Sequence, residues 1–188
     1  MFTGIVQGIG RVRSVEPRGG DVTLWFDTGQ VSLAGIEVGG SIAVNGACLT
    51  AVQLEPHAFA ADVSRETLSL TTAGDWTPAT RINLEKALTA GQALGGHYVT
   101  GHVDGVGTVI SRHDDARSVR VEFEVPAELA QRVFAAADVR LAISPEMITE
   151  YSAWFRCSFG LLPPVVTTRA NEVPNDWTPV RGNVRHCV

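Results

Sequence analysis

Cysteine is scarce in this chain, and its spacing excludes two classes of protein. The three cysteines stand at positions 48, 157 and 187, and no Cys-x-x-Cys pair occurs among them. This pattern fits neither a disulfide framework nor a zinc site built on paired cysteines. We therefore expect no metal and no disulfide, and we expect the chain to work in a reducing compartment, the cytoplasm.

Positive charge and long apolar runs are also lacking. Lys and Arg together number 15 against 20 Asp and Glu, which gives a formal net charge of −5. That balance gives no excess of positive charge with which to bind nucleic acid or an anionic membrane surface. No apolar run approaches the roughly 20 residues that span a bilayer, and residues 1–6 lack the basic and apolar regions of a secretory signal. We expect neither nucleic acid nor a membrane as a partner.

The motifs of nucleotide and ester chemistry are missing as well. The sequence contains neither a P-loop nor a Gly-x-Ser-x-Gly elbow. Its glycine pairs, Gly8 with Gly10 and Gly105 with Gly107, lack the third glycine and the acidic residue of a dinucleotide-binding loop. We predict instead that these glycines allow close backbone approach at the corners of a β-barrel.

What the chain does contain is an internal repeat. Residues 3–12 read TGIVQGIGRV and residues 100–109 read TGHVDGVGTV, an offset of 97 positions. The same offset aligns the alternating apolar positions of residues 22–26 with those of residues 119–123. Further on, Asp-Trp-Thr-Pro occurs at position 75 and again at position 176. The common order of these matches indicates two homologous halves.

The pattern within each half favours short strands. Alternation of apolar and polar residues, broken by Gly, Pro, Asp and Asn, is typical of a small antiparallel barrel or sandwich. A half of about 95 residues is a reasonable domain size. We predict an all-β protein with one barrel in residues 1–97 and a second in residues 98–188. Helical segments are expected at residues 84–90 and 126–134.

Three groups of side chains could carry chemistry. His97 and His102 stand five residues apart in an extended segment, so they would point to opposite faces and form a poor metal pair. Cys48 is either a nucleophile or a small buried residue. The polar cluster of residues 62–68 is either a binding surface or a solvated loop with a helix cap. The residues alone leave these alternatives open.

Five motifs in the first 105 residues favour functional roles for these side chains. In chain order they are MFTGIV (1–6), SIAVNGACLT (41–50), DVSRETL (62–68), INLE (82–85) and GGHYVTGHVDG (95–105). Together they resemble riboflavin synthase of the α-chain type. The resemblance implies two tandem six-stranded antiparallel Greek-key β-barrels. It also implies a transferase that converts two molecules of 6,7-dimethyl-8-ribityllumazine into riboflavin and 5-amino-6-(D-ribitylamino)uracil by transfer of a four-carbon unit, with no cofactor.

The resemblance also implies roles for individual residues. His102 would take a proton from the methyl group at C7, and Cys48 would be the transient nucleophile that adds at C7. The other matched positions would bind substrate or product: Gly4, Ile5, Val6, Ser41, Leu49, Thr50, Asp62, Val63, Ser64, Glu66, Thr67, His97, Gly101, Val103 and Thr149.

The second half departs from the family pattern. Residues 144–149 read SPEMIT, in which Thr149 keeps the hydroxyl that matches Thr50. The C-terminal helix that helps to hold the family's homotrimer does not follow residues 183–184. We therefore expect a degenerate second barrel and a monomer or weak oligomer. A non-catalytic lumazine- or flavin-binding protein of the same fold is the alternative to an enzyme.

Overall fold

The computed structural model describes residues 1–115, 118–124, 140–142 and 165–170. Six strands in the first half close into a barrel with the order β1-β2-β5-β4-β3-β6, and every pairing between them is antiparallel. The predicted barrel is therefore confirmed for this half. Its strands are β1 (Gly8–Arg18), β2 (Asp21–Asp27), β3 (Ser41–Val44), β4 (Ala47–Glu55), β5 (Ala58–Val63) and β6 (Arg81–Lys86).

The strand order is a Greek key. Strands β3, β4 and β5 follow one another as hairpins, and β6 returns to lie beside β3. The β3–β4 turn consists of Asn45 and Gly46, whose φ angles are 46° and 83°. Two residues with positive φ are what a tight type I′ hairpin needs. The Asn45 side chain also accepts a hydrogen bond of 2.7 Å from the N–H of Asn83, which ties this turn to β6.

Side chains from alternate positions fill the barrel. Phe26 is fully buried, with ring centroids 4.9 Å from Phe59 and 6.1 Å from Trp76. Trp76 reaches the core from the segment after β5, which contains helix α1 (Arg65–Leu70) and a 3₁₀ turn (Thr72–Asp75). The helices in the part of the chain that the structure describes are neither long nor apolar enough to span a bilayer.

Gly10 shows why β1 needs a glycine at this position. A Cβ at this position would collide with the backbone oxygen of Asp27 and would lie 2.7 Å from Cδ1 of Leu84. These two residues belong to β2 and β6, the neighbours of β1 on either side. The prediction that Gly10 allows close backbone approach in a barrel is confirmed.

The predicted helix at residues 84–90 is wrong, because residues 84–86 are strand and residues 87–90 are not helical. Leu84, Glu85 and Lys86 are the last residues of β6. Leu84 pairs with Gly8 of β1 on one side and Val44 of β3 on the other, and its side chain is 1% exposed in the core. Two backbone ladders and a buried side chain outweigh the high helix propensity of Leu, Glu and Lys, because that propensity contributes little free energy per residue. The other predicted helix, 126–134, lies outside the described residues.

The second half contains a hairpin with the same pairing register as the hairpin of β1 and β2. Strands β7 (Val103–Asp115) and β8 (Ser118–Glu124) pair in the register of β1 and β2 shifted by 97 positions. Val12 pairs with Phe26, and Val109 with Phe123. Both ladders also carry an irregularity at the equivalent place, after Val12 and after Val109. The repeat is thus confirmed for the first hairpin of each half.

Two more short strands in the described part of the chain belong to the second sheet. Strands β9 (Arg140–Ala142) and β10 (Val165–Ala170) extend it to the order β8-β7-β10-β9, with β10 parallel to both β7 and β9. A second six-stranded barrel stays a prediction. The division after residue 97 also stays a prediction, and Val99 and Val103, just beyond it, pack against Phe2 and Ala43.

Candidate functional site

The candidate site lies on the outer face of the first barrel, where β3 runs between β4 and β6. Ala43 of β3 pairs with Cys48 on one side and with Glu85 on the other. Residues paired across a sheet share a face. Their strand neighbours Ile42 and Leu84 are in the barrel core, so Ala43, Cys48 and Glu85 point outward.

Two extended pieces of chain cover this face. We call residues 1–6 the N-terminal segment and residues 96–103 the histidine segment. Backbone hydrogen bonds join them: Phe2 N–H to Val99 O at 2.7 Å, Val99 N–H to Phe2 O at 3.0 Å and His97 N–H to Thr3 O at 2.7 Å. Phe2 and Val99 pack with Ala43 in a second, small apolar cluster outside the barrel. The two segments therefore form one covering layer.

Cys48 is held at the edge of this layer. Its N–H donates to the carbonyl oxygen of Gly101 at 2.8 Å. A Cβ on Gly101 would lie 2.8 Å from Cβ of Cys48 and 3.1 Å from Cε2 of Phe2, and the φ of Gly101 is 78°. The free thiol of Cys48 is half-buried. The histidine segment thus fixes the backbone of Cys48 and leaves its side chain partly accessible.

A row of polar side chains begins beside Cys48 and crosses four strands. Ser41 of β3 pairs with Thr50 of β4, two residues beyond the pair of Ala43 and Cys48. Ala51 pairs with Ala61, and one further step in that register places Thr50 across from Asp62 of β5. Asp62 in turn pairs with Thr23 of β2. We call Ser41, Thr50, Asp62 and Thr23 the polar row.

Asp62 is the charged member of the polar row. One carboxylate oxygen accepts a hydrogen bond of 2.6 Å from the hydroxyl of Thr23, and the other accepts one of 3.0 Å from Nη1 of Arg18. The hydrogen bond from Thr23, assisted by Arg18, lowers the pKa of Asp62 below the ordinary value for an aspartate, although desolvation acts in the opposite direction. Asp62 is therefore an ionised hydrogen-bond acceptor at neutral pH.

The polar cluster that follows Asp62 starts helix α1. Ser64 is its N-cap and accepts a hydrogen bond of 3.2 Å from the N–H of Thr67. The two hydroxyl oxygens are 3.1 Å apart, and Glu66 lies exposed in the first turn. The expectation of a helix cap in this cluster is confirmed. The cap holds the hydroxyls of Ser64 and Thr67 close to the end of β5 that carries Asp62.

Other residues singled out from the sequence lie in different surroundings. The side chains of Leu49 and Val63 are in the barrel core, so only their backbones could meet a ligand. Gly4 is buried, while Ile5 is 47% exposed. His97 and His102 are exposed, Val6 is half-buried, Val103 packs on the apolar cluster of Phe2, and Thr149 lies outside the described residues.

Glu85 is a residue at this site that the sequence reasoning missed. It is 4% exposed, and its carboxylate accepts hydrogen bonds from the N–H and the hydroxyl of Thr3 at 2.6 and 2.7 Å. The N–H of Gly4 donates to it at 3.1 Å. The available signal was its place in the INLE motif (82–85), one of the motifs that carry the family resemblance. Its partners are more than 80 positions away in the chain.

Comparisons with known proteins identify the family. Residues 3–87 match the lumazine binding domain. The chain is 39% identical over 146 residues to the riboflavin synthase of Brucella abortus, covering 75% of this chain and 72% of that protein. The chain belongs to the riboflavin synthase family. It is also 42% identical over 134 residues to the riboflavin synthase of Mycobacterium tuberculosis, covering 71% and 66%.

Some members of the riboflavin synthase family are matched over a smaller share of their length. The riboflavin synthase of Photobacterium leiognathi is 38% identical over 129 residues, which is 69% of this chain and 59% of that protein.

The crystal structure of LumP complexed with riboflavin superposes with a TM-score of 0.63 at 26% identity, covering 71% of this chain and 72% of that one. LumP complexed with 6,7-dimethyl-8-(1'-D-ribityl) lumazine gives a TM-score of 0.61 at 26% identity.

Gly101→Ala tests how the histidine segment holds Cys48. The added methyl group would contact Cys48 and Phe2 at about 3 Å on a backbone with positive φ, so the layer has to shift. We expect a lower melting temperature and faster amide exchange at Cys48. Gly95→Ala is the matched control, because its Cβ would meet only Cδ1 of Ile5, at 3.8 Å. Equal melting temperatures for the two variants would contradict the role of Gly101.

Thr23→Val tests the electrostatics of the polar row. The variant keeps the shape of Thr23 and removes the hydroxyl that donates to Asp62, so the pKa of Asp62 should rise toward its ordinary value. Because the pKa of Asp62 is lower in the folded chain than in the unfolded chain, its ionisation stabilises the fold at pH values above the pKa of the unfolded chain. This stabilisation is lost as the pH falls through the pKa of the folded chain. The stability difference between parent and variant should therefore shrink on acidification.

The Thr23→Val measurement is a carboxyl NMR titration combined with urea unfolding at several pH values. Thr28→Val is the control, since the Thr28 hydroxyl donates to the carbonyl of His57 and not to Asp62. A pKa of Asp62 that is the same in parent and Thr23→Val would show that the hydroxyl does not set it.

Proposed function

We propose that this chain is a riboflavin synthase, which converts two molecules of 6,7-dimethyl-8-ribityllumazine into riboflavin and 5-amino-6-(D-ribitylamino)uracil. The observation that carries the proposal is the polar row beside a half-buried Cys48, which lies at the edge of a layer formed by motifs shared with the family. The curated relatives at 38% to 42% identity are riboflavin synthases, which supports the same activity here.

The site offers different surroundings to the two parts of such a ligand. Gly4, Ile5 and Val6 would line the planar ring system beside Cys48. The polar row, with the hydroxyls of Ser64 and Thr67, would hydrogen-bond the ribityl chain. An ionised Asp62 accepts strongly from hydroxyl donors, which suits a chain of alcohol groups. LumP, which is complexed with riboflavin and with the lumazine in its crystal structures, supports binding of both molecules.

The proposed chemistry moves four carbons from one lumazine to another. His102 would accept a proton from the methyl group at C7 of one ring, and the thiol of Cys48 would add transiently at C7 of the other. The two products together contain all the atoms of the two substrates, so the net reaction requires neither oxidant nor reductant. Holding the two rings in register supplies part of the rate by proximity.

The direct test uses the purified chain and 6,7-dimethyl-8-ribityllumazine alone. We expect one riboflavin for every two lumazines consumed, measured by chromatography with fluorescence detection. Binding without riboflavin formation would contradict the enzyme. That outcome would favour the second candidate, a non-catalytic lumazine- or flavin-binding protein, for which the similarity to LumP is the supporting observation.

Cys48→Ser and His102→Gln test the two proposed catalytic side chains. Cys48→Ser should lower turnover by an order of magnitude or more while riboflavin binding stays close to that of the parent, because serine is a far weaker nucleophile at the same place. His102→Gln should lower turnover and flatten the acid limb of the pH profile, because the imidazole must be neutral to accept a proton.

His57→Gln is the control for these variants, since His57 lies in the exposed turn between β4 and β5. Stopped-flow turnover and a riboflavin titration separate chemistry from binding. Turnover of Cys48→Ser equal to that of the parent would remove the thiol from the mechanism, and an unchanged pH profile would remove His102.

Association between chains is a further part of the proposal. The family resemblance implies a homotrimer, and the covering layer exposes Met1 by 59%, Ile5 by 47% and Tyr98 by 59%. We propose a monomer in exchange with a weak oligomer, whose activity per mole rises with concentration by mass action. A dilution series of activity with light scattering tests this. A stable trimer with constant specific activity would contradict it.

Two further points belong to the proposal. We place the protein in the cytoplasm, which the free thiol of Cys48 supports. We also retain the division into a barrel at residues 1–97 and a second domain at residues 98–188, which the repeated hairpin supports.

A further inference from the structure

Glu85 is a buried carboxylate that the proposed chemistry does not use. Its Oε1 accepts hydrogen bonds from the N–H of Thr3 at 2.6 Å and from the hydroxyl of Thr3 at 2.7 Å. The N–H of Gly4 lies 3.2 Å from Oε1 and 3.1 Å from Oε2. Three donors from two successive residues therefore converge on one side chain. Such convergence stabilises a particular path of the N-terminal segment.

Through Thr3, Glu85 also constrains two residues to which it is not itself hydrogen-bonded, Ile5 and His97. The oxygen of the Thr3 hydroxyl accepts a hydrogen bond of 3.1 Å from the N–H of Ile5. The carbonyl of Thr3 accepts one of 2.7 Å from the N–H of His97. A single carboxylate on β6 thereby places both Ile5 in the N-terminal segment and His97 in the histidine segment.

The chemistry of this contact requires a carboxylate. An ionised carboxylate accepts at both oxygens, and hydrogen bonds to it are stronger than those between neutral groups. Gly4, whose N–H donates to Glu85, has a positive φ of 83°, a conformation that other residues rarely adopt. A glutamine at this position would keep one accepting oxygen, and its NH₂ group would repel whichever donor it faced.

We propose that Glu85 is a positioning residue that holds residues 3–5 and His97 in the arrangement that receives the ligand. This inference rests on the proposed function, because it assumes that the covering layer contacts lumazine and riboflavin. Glu85 lies beneath the N-terminal segment and acts on the ligand through Thr3, Gly4 and Ile5. Its loss should therefore weaken binding while the barrel stays folded.

The test compares Glu85→Ala, Glu85→Gln and the parent in a riboflavin titration followed by quenching of flavin fluorescence. We expect the Kd to rise tenfold or more in Glu85→Ala, since several hydrogen bonds to a charged group are lost. Glu85→Gln keeps the acceptor at Oε1 and should recover part of that loss. Glu55→Ala is the control, because Glu55 is an exposed glutamate at the far end of β4 from Cys48.

Two features of the experiment separate positioning from general stability. The titration is run far below the unfolding temperature, where the folded fraction stays close to one and a loss of global stability does not change the Kd. Amide hydrogen exchange on the same samples should increase in residues 2–6 and 96–99 of Glu85→Ala, with the barrel strands β2, β4 and β5 unchanged.

The outcomes distinguish this inference from the proposed function. A parent-like Kd in Glu85→Ala would overturn the positioning role while leaving the proposed function intact. Faster exchange throughout the barrel would also overturn it, because Glu85 would then support the whole fold. Failure of the parent to bind either riboflavin or 6,7-dimethyl-8-ribityllumazine would overturn the proposed function and this inference with it.

Discussion

The pairing of Ala43 with both Cys48 and Glu85 is the constraint on which the rest of the site depends. Strand β3 is only four residues long, yet it brings the candidate nucleophile and the buried carboxylate to either side of one small side chain. The small size of Ala43 lets Phe2 and Val99 pack against the sheet, with exposures of 0% and 7%. A larger side chain there would push the covering layer outward and separate it from both neighbours.

Successive side chains of a β-strand point to opposite faces, so the same strands supply both the barrel core and the candidate site. In β3 and β4, Ile42, Val44 and Leu49 point into the core, while Ala43, Cys48 and Thr50 point to the outer face. The inward side chains stabilise the barrel by burial, and the outward ones remain available for chemistry. A substitution at Cys48 or Thr50 therefore leaves the core packing in place, which is why variants at these positions can report on function.

The barrel strands and the repeated hairpin could be predicted from the sequence, because short-range residue patterns determine them. Alternation and turn residues predicted the barrel, and the repeat predicted that β7 and β8 would match β1 and β2. The helix expected at residues 84–90 failed, because Leu84 is fixed by ladders to residues about 40 and 76 positions away. Glu85 was missed for the same reason. Its role depends on Thr3 and Gly4, which only the closed barrel brings near it.

The covering layer also links the site to the second half of the chain. Gly101 holds the backbone of Cys48, and β7 begins two residues later at Val103. Val103 itself packs on the apolar cluster of Phe2, Ala43 and Val99. The first strand of the repeated half therefore starts from within the site, with no free linker between them. Any shift of the histidine segment has to move either its backbone contact with Cys48 or the start of β7.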